Sequence, residues 1–172
     1  MIWDVMKRVL AFILLGVLMV LLTAGCGDGS SRSKKDDHVT AVKSEDAELN
    51  AAISKAQSTL TNFIATLISP KANQKYFLVK GKFTSGDNVE HIWVADVAYD
   101  GKVFRGVIAN EPEKIRGLSF KEPVEVQPTQ VSDWMFIQDG KLVGGYTSRV
   151  LRDRMTAQER RELDAKIPYS YN

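Results

Sequence analysis

The sequence predicts an α+β fold, on the basis of two periodicities and a repeated turn signal. Apolar residues first recur at steps of three and four, as on one face of a helix, and from Tyr76 onward they alternate, as in β-strands. Two Asp-Gly pairs, beginning at Asp100 and Asp139, stand between alternating runs and are typical of tight β-hairpins. We therefore expect an antiparallel sheet of about five strands, one long helix packed on it and a short C-terminal helical segment.

The long helix is predicted between Ser44 and Ile68. Ser44 is a favourable N-cap, and Pro70 ends the helix. The polar face of this segment carries mixed charge, whereas helices that lie on lipid usually have a basic polar face, so we expect the apolar stripe to pack on the sheet. The stripe consists of Leu49, Ala52, Ile53, Ala56, Leu60, Phe63, Ile64 and Leu67.

The first Asp-Gly pair predicts the register of a hairpin. A two-residue loop there, with pairing continued outward, gives an ion pair between Asp96 and Arg105 and places His91 opposite Asn110. In this register the face that bears Trp93 is expected to meet the long helix. A hydrogen-bonded His91–Asn110 pair at the end of the sheet would then have a purely structural role.

The second Asp-Gly pair predicts another hairpin by the same rule. A two-residue loop at Asp139 places Trp134 opposite Gly145 and Met135 opposite Gly144. Large side chains next to residues without side chains explain this Gly-Gly pair through packing, so no ligand is needed to explain it.

The remaining elements are shorter. Val124 to Val126, between prolines, is typical of an edge strand. A short helix is expected to start near Thr147, and Thr156 with Glu159 forms a capping box for another helix that ends before Pro168.

The N-terminus has the pattern of a secretory signal. An uninterrupted apolar run from Val9 to Leu22 follows Lys7 and Arg8, and small residues follow the run. The run is shorter than the roughly 20 residues that span a bilayer. A chain that starts at Met6 would have a more typical signal peptide than one that starts at Met1, and both start positions stay open.

The only cysteine of the chain, Cys26, lies directly after this run. The sequence LTAGC, Leu22 to Cys26, resembles a bacterial lipobox, in which the cysteine sulfur takes a diacylglycerol and the chain is cut before the cysteine. Two or more acyl chains anchor a protein stably in a membrane. An ordinary cleaved signal and an uncleaved anchor helix, each with a chance cysteine, are the alternatives. Gly27 follows the cysteine where Asp would favour the inner membrane, so we expect an outer-membrane location facing the periplasm.

These features divide the chain into four parts. Residues 1–25 are the signal peptide, 26–43 the lipidated cysteine with a Gly/Ser-rich tether, 44–168 the α+β domain and 169–172 a tail.

Composition excludes several classes of function. The 172 residues include 23 basic and 21 acidic ones, a formal charge of +2, which gives no long-range attraction to nucleic acid. A single cysteine excludes an internal disulfide. The predicted domain has one histidine and no free thiol, too few strong ligands for a metal site, and the chain lacks a cofactor-binding motif.

Three residues are candidates for ligand binding: His91, Asn110 and Arg149. His91 has carboxylates nearby, as a general base needs, but no nucleophile motif accompanies it, so no catalytic residue is assigned. Arg149 lies at a helix start, where a guanidinium group and backbone N–H groups can hold an anion. A solvated helix face is the alternative for Arg149.

Two segments resemble a known family. EHIWVADVAYDGKVFRGVIANEP (Glu90 to Pro112) and DWMFIQDGKLVGGYTSRVLRDRM (Asp133 to Met155) are similar to the YegJ-like bacterial domains of unknown function. The resemblance covers about residues 44–168. It implies a small α+β domain, sometimes secreted or lipid-anchored, with no established activity or cofactor and no catalytic residue to carry over.

Two functions follow as expectations. The first is a lipoprotein, anchored through Cys26, that presents a small non-enzymatic binding domain to another envelope protein or to a protein delivered from outside. The alternative is a small-ligand binder or hydrolase that uses His91, Asn110 and Arg149 at one end of the sheet.

Overall fold

The computed structural model describes residues 47–171 of the chain, and the predicted signal peptide, Cys26 and tether lie outside the described residues. The strands are β1 (Gln74–Ser85), β2 (Asn88–Tyr99), β3 (Phe104–Ile108), β4 (Pro123–Val126), β5 (Val131–Gln138) and β6 (Lys141–Gly144). The helices are α1 (residues 47–58), α2 (Leu60–Ile68), α3 (Tyr146–Asp153) and α4 (Ala157–Asp164), and a 3-10 turn (Pro128–Gln130) precedes β5.

All six strands form one antiparallel sheet in the order β4-β3-β2-β1-β5-β6. The predicted α+β class with an antiparallel sheet is confirmed. The expected count of about five strands and one long helix was not accurate, because the described residues contain six strands and four helices. The predicted edge strand is confirmed as β4, whose first residue, Pro123, lies at the terminal position of the sheet where a missing N–H costs least.

The predicted long helix is interrupted at Thr59, which separates α1 from α2. The Thr59 hydroxyl donates to the carbonyl oxygens of Lys55, at 2.7 Å, and Ala56, at 3.2 Å. Such local side-chain bonds compete with regular helical geometry. The apolar stripe nevertheless continues across the interruption, since Ala56, Leu60 and Phe63 are all buried.

Helices α1 and α2 cover one face of the sheet, which we call the first face. The Trp134 indole N–H donates to the carbonyl oxygen of Ala56 at 3.0 Å, and the Trp134 ring stacks on Phe63 with centroids 5.1 Å apart. These contacts fix α1 and α2 on β5. The buried core of the first face consists of Ala56, Leu60, Phe63, Val79, Ile92, Val94, Phe104, Ile108, Ile115, Val126, Val131, Trp134 and Phe136.

The opposite, second face is covered by α4 and the residues after it. Residues 169–171, expected as a tail, pack here: Ser170 bridges Lys141 of β6, and Tyr171 is buried. The helix α4 begins with the predicted capping box of Thr156 and Glu159. The buried core of the second face consists of Leu78, Trp93, Ala95, Ala109, Met135, Ile137, Leu142, Leu163, Ile167 and Tyr171.

The loop of the first hairpin differs from the prediction. The Asp100 carboxylate accepts the backbone N–H groups of Lys102 and Val103 at 2.8 and 2.9 Å, so Tyr99 pairs with Phe104. An Asp side chain that bonds the backbone two residues ahead forms its own turn and lengthens the loop. The predicted two-residue loop was wrong for this reason.

A bulge in β2 then changes which face the strand presents. Asp96 adopts a positive φ of 51°, and the pairing with β3 shifts between Ala95 and Ala98. One extra residue reverses the side to which the following residues point. Trp93 therefore lies on the second face, and the prediction that its face meets the long helix was wrong.

The ion pair predicted for this hairpin also differs. Arg105 pairs with Asp100 and with Glu125 of β4, where Nε and Oε1 are 2.9 Å apart. The longer loop places Ala98 opposite Arg105, so the predicted Asp96–Arg105 pair was wrong. The observed pairs are largely exposed to solvent and tie β3 to β4 only weakly.

The second hairpin follows its predicted register. Gln138 pairs with Lys141 and Met135 with Gly144. Asp139 and Gly140 both have positive φ, 52° and 74°, as a two-residue turn of this type requires. The N–H of Gly145 donates to the carbonyl oxygen of Trp134 at 2.8 Å, which confirms that the glycines lie next to the large side chains.

Candidate functional site

Two charged side chains are buried on the second face, side by side. Lys80 of β1 pairs with Trp93 of β2 on one side and with Asp133 of β5 on the other. Alternation along β1 puts Lys80 on the same face as Leu78, among apolar neighbours. Lys80 is 6% exposed and Asp133 is 0% exposed. We call Lys80, Trp93, Asp133 and Thr147 the Lys80 cluster.

The Asp133 carboxylate holds the start of α3. It accepts the backbone N–H groups of Trp134 at 2.9 Å, Tyr146 at 3.0 Å and Thr147 at 2.8 Å, and the Thr147 hydroxyl at 2.6 Å. The residue before α3 is Gly145, which has no side chain to cap the helix. Asp133 supplies the missing acceptor from a neighbouring strand, and its charge is favourable at the positive end of the helix dipole.

The Lys80 amine lies between an aromatic ring and a hydroxyl group. Its Nζ donates to Thr147 Oγ1 at 2.8 Å and lies 4.6 Å from the centroid of the Trp93 ring, within the range of cation–π attraction. Burial lowers the pKa of Lys80, and the negative charge of Asp133 opposes that change. The Thr147 hydroxyl therefore links the buried amine to the buried carboxylate.

Two of the buried polar groups without a partner among the described residues are relevant here: one belongs to Trp93 of the cluster, and the other to Ser148, the residue after Thr147 in α3. Within the described residues, the Trp93 indole N–H and the Ser148 hydroxyl have no hydrogen-bond partner. Trp93 is 2% exposed and Ser148 is 3% exposed. Because buried polar groups are nearly always hydrogen-bonded, an unpartnered indole N–H on the residue that contacts a buried amine is unusual.

The predicted candidate His91 lies at the solvent side of the cluster. It is exposed and pairs with Lys82 of β1, two pairs closer to the β1–β2 turn than Lys80 and Trp93. Desolvation and then the positive charges of Lys80 and Lys82 lower the pKa of His91. The expected pairing with Asn110 was wrong, because the longer loop of the first hairpin and the bulge in β2 together shift the register.

Asn110 is buried and serves the backbone of β2. Its Oδ1 accepts the N–H of Trp93 at 2.8 Å, and its Nδ2 lies 3.4 Å from the carbonyl oxygen of Glu111. The amide therefore extends the β2–β3 pairing beyond the end of β3. Asn110 and His91 both lie next to Trp93, although they do not pair with each other.

Arg149 lies elsewhere and holds the C-terminal segment. Its guanidinium group donates to the carbonyl oxygens of Gly144 at 3.0 Å, Leu142 at 2.8 Å and Tyr171. These bonds tie α3, β6 and the last described residue together. The ligand-binding role predicted for His91, Asn110 and Arg149 stays a prediction, and only the first two lie beside the Lys80 cluster.

Sequence reasoning missed Lys80, Asp133 and Thr147 as site residues. A signal was present in the strand pattern: Asp133 has the same parity as Met135 and Ile137, so it points to the buried side. A charged residue at a buried strand position needs a partner, and that requirement points to Lys80 across the β1–β5 pair.

Two further classes of site were searched for in the part of the chain that the structure describes. No group of three or more His, Cys, Asp or Glu side chains is placed to hold a metal ion there. No helix among residues 47–171 is both long and apolar enough to cross a bilayer.

Comparison with known proteins identifies the family. Residues 46–170 match the family described as "Uncharacterized protein conserved in bacteria (DUF2314)". The chain belongs to this family. It is also 31% identical over 162 residues to the uncharacterized protein YegJ of Escherichia coli K12, covering 94% of this chain and 99% of YegJ. The predicted YegJ-like domain is therefore confirmed.

A second relative is longer. A putative ankyrin repeat protein of Neisseria meningitidis serogroup B is 32% identical over 138 residues, covering 76% of this chain. The alignment spans 54% of that relative, so the chain matches about half of its length. No solved structure matches the chain.

Proposed function

We propose that this chain is a bacterial lipoprotein that presents a small binding domain in the cell envelope. The observation that carries the proposal is the sequence Leu22 to Cys26, LTAGC, directly after a signal-like apolar run and before a polar tether. The lone cysteine stands where lipid attachment requires it. Acyl chains there would hold the domain at a membrane surface through residues 26–43.

The use of polar groups in the folded domain supports binding over catalysis. The oxygen of the Asn110 side chain accepts a backbone N–H, Arg149 donates to three carbonyl oxygens, and Asp133 accepts three N–H groups and a hydroxyl. Groups that hold the backbone in this way are not free to exchange protons with a substrate. The proposed partner is another envelope protein or a protein delivered from outside the cell.

The proposed location is the outer membrane, with the domain facing the periplasm. Gly27 follows Cys26 in place of the Asp that favours inner-membrane retention. Separation of inner and outer membranes by density, followed by immunodetection, tests this location. Recovery in the inner membrane would contradict it without affecting the proposal of lipidation.

Metabolic labelling tests the anchor. Cells that express the full chain are grown with an alkyne-bearing fatty acid, and wild type is compared with Cys26→Ser, which changes one atom of the side chain. We expect label on wild type only. Equal labelling of the two chains, or no labelling of either, would refute the proposed lipidation.

A second candidate function is the binding of a small ligand by the domain. The observation that favours it is the indole N–H of the buried Trp93, which is unpartnered in the described part of the chain; the centroid of its ring lies 4.6 Å from the Lys80 amine. In the hydrolase form of this alternative, His91→Ala would abolish a measurable turnover while leaving the fold intact. Turnover that survives this substitution would exclude the hydrolase form.

A further inference from the structure

The outer edge of β6 is covered by a short segment of the same chain. β6 is the last strand of the sheet, and an edge strand presents backbone groups with which other chains can pair. Ser170 donates its N–H to the carbonyl oxygen of Gly140 at 2.9 Å and accepts the N–H of Leu142 at 2.8 Å. We call residues 169–171, which occupy the edge in this way, the strap.

The strap also places an aromatic ring in a defined position. Tyr171 is 8% exposed, and the Arg152 guanidinium lies 4.7 Å from the centroid of its ring. The Arg149 guanidinium donates to the carbonyl oxygen of Tyr171 and lies 5.8 Å from the same ring. Both distances are within the range of cation–π attraction. The edge of β6 therefore recognises three features of the strap: an extended backbone, a carbonyl oxygen and an aromatic side chain.

The strap is joined to the domain less firmly than a strand of the sheet is. Within the described residues its pairing with β6 is one isolated bridge, from Lys141 to Ser170, in the parallel direction, which is the less stable arrangement per residue. The preceding helix, α4, has Leu163 as its one buried residue, and Pro168 is exposed. Segments with few buried apolar contacts open at a lower free energy than the core does. We therefore expect the strap to open while the sheet stays folded.

We propose that the edge of β6 is a docking site for an extended, aromatic-containing segment of a partner protein, and that the strap occupies this site until the partner displaces it. The proposal rests on the binding function proposed above and names the kind of partner. The incoming segment adds to β6 as a strand, gives a carbonyl oxygen to Arg149 and places an aromatic ring beside Arg149 and Arg152, as Tyr171 does. Strand addition of this kind takes affinity from main-chain bonds and specificity from side-chain pockets.

A separate partner fits this site better than a second copy of the chain does. Residues 165–168 join α4 to the strap, and four residues span at most about 14 Å when fully extended. The strap of a second copy is tied to its own α4 this closely, so an exchange between copies would also move α4 and expose Leu163 and Ile167, which are buried. A partner segment without such a connection requires only that the strap moves.

Binding of a peptide in trans tests the docking site. The probe is a fluorescent peptide of residues 166–171, KIPYSY, blocked at both ends and added to the full chain in detergent micelles. Fluorescence anisotropy compares the wild type with Tyr171→Ala, which removes the buried ring of the strap, and with Ser170→Pro, which removes the N–H that bonds Gly140. A control peptide has proline in place of its serine, so it cannot make this bond.

We expect both strap variants to bind the peptide at least tenfold more tightly than the wild type does, because the wild-type strap competes within the same molecule. The control peptide should bind at least tenfold more weakly. Equal binding by wild type and variants would show that strap and peptide do not share a site. No binding by either variant, with circular dichroism like that of the wild type, would overturn the docking site. Both failures would leave the proposed anchor in place, which the labelling of Cys26 tests separately.

NMR locates the bound peptide. In nitrogen-15-labelled Tyr171→Ala, the peptide should shift the amide signal of Leu142 with saturation and leave the indole signal of Trp134, on the first face, in place. A saturating shift of Trp134 without a shift of Leu142 would contradict docking at β6. Light scattering that shows wild-type dimers, separated into monomers by the peptide, would show that the occupant is a second copy and would overturn the proposal of a separate partner.

Discussion

The Thr147 hydroxyl donates to the buried Asp133 carboxylate at 2.6 Å, which joins the first turn of α3 to strand β5. The same oxygen accepts from the Lys80 amine at 2.8 Å, so one hydroxyl connects three elements of the fold. A buried amine and a buried carboxylate that share a bridging hydroxyl form a network whose members depend on each other.

Removing the charge of Asp133 is expected to destabilise the domain strongly. Asp133→Asn leaves the buried Lys80 amine without its counter-charge and replaces one acceptor oxygen of the carboxylate by an N–H donor. Breaking a buried pair from one side costs about 3–5 kcal/mol of the free energy of unfolding. Urea unfolding of the variant and the wild type measures the difference.

Asp139→Asn is the matched control for this prediction. Asp139 is exposed in the tight turn between β5 and β6 and has a positive φ of 52°, which Asn also tolerates. We expect a change within about 0.5 kcal/mol, as for most surface substitutions. Similar losses in both variants would mean that Asp133 does not hold a buried network.

Stability should depend on pH through Lys80. Burial lowers its pKa in the folded domain below the ordinary value of 10.5, so between the two values the unfolded chain binds more protons than the folded one. Stability therefore rises with pH in this window. Relative to Lys80→Met, the wild type is expected to gain stability as the pH rises toward 10.5.

The measurement is the free energy of unfolding from pH 7 to about pH 9, where unfolded tyrosines with a pKa of about 10 are still mostly protonated. Burial raises the pKa of Tyr169 and Tyr171 in the folded domain. Above this limit, ionisation of the same tyrosines in the unfolded chain would lower the free energy of unfolding and obscure the contribution of Lys80. Lys82→Met removes a lysine from an exposed position of the same strand and serves as the control. A constant difference between wild type and Lys80→Met across this range would contradict the prediction.

Gly144 is expected to tolerate no side chain. A Cβ atom there would lie 2.6 Å from the Trp134 ring, and Gly144 has a φ of +75°. Gly140 has nearly the same φ, +74°, but open space around it. Gly144→Ala should therefore cost about 1–3 kcal/mol more than Gly140→Ala, since overpacking adds to the shared backbone strain. Thermal unfolding of both variants checks this, and equal losses would contradict the close contact.

The two hairpins show how much of the fold could be predicted. At Asp139 and Gly140 both residues adopt positive φ, the two-residue rule holds, and the register of β5 and β6 follows from sequence. At Asp100 the side chain bonds Lys102 and Val103 and lengthens the loop. The same Asp-Gly dipeptide is thus found in loops of two different lengths, because the Asp carboxylate accepts backbone N–H groups of the loop in one hairpin and not in the other.

The missed site has a separate cause, the bulge in β2. Without the bulge at Asp96, strand parity places Trp93 on the helix side, away from its true neighbour Lys80. The residue pattern of β2 does not predict this bulge, because a bulge depends on local backbone geometry. The helical stripe of Ala56, Leu60 and Phe63 needed no such information, since its period alone defines the buried face.

Arg149 is expected to stabilise the packing of the C-terminal segment on the domain. Arg149→Ala removes donors to three carbonyl oxygens, two in β6 and one on Tyr171, which should loosen the C-terminal segment. The N–H of Leu142 donates to the carbonyl oxygen of Ser170, and the N–H of Ser170 donates to that of Gly140; amide hydrogen exchange at both should become at least tenfold faster.

Arg116→Ala, at an exposed position of the β3–β4 connection, is the control for Arg149 and should leave exchange at those two amides unchanged. Unchanged exchange in Arg149→Ala as well would contradict the structural role and return Arg149 to the ligand-binding candidates.

Mass spectrometry of the N-terminal peptide of the membrane-extracted protein tests the proposed anchor most directly. The account predicts a peptide that begins at Cys26 and carries a diacylglycerol on its sulfur, with residues 1–25 absent. A peptide that runs through the apolar segment into an unmodified Cys26, or a cleaved peptide with a free thiol, would contradict it.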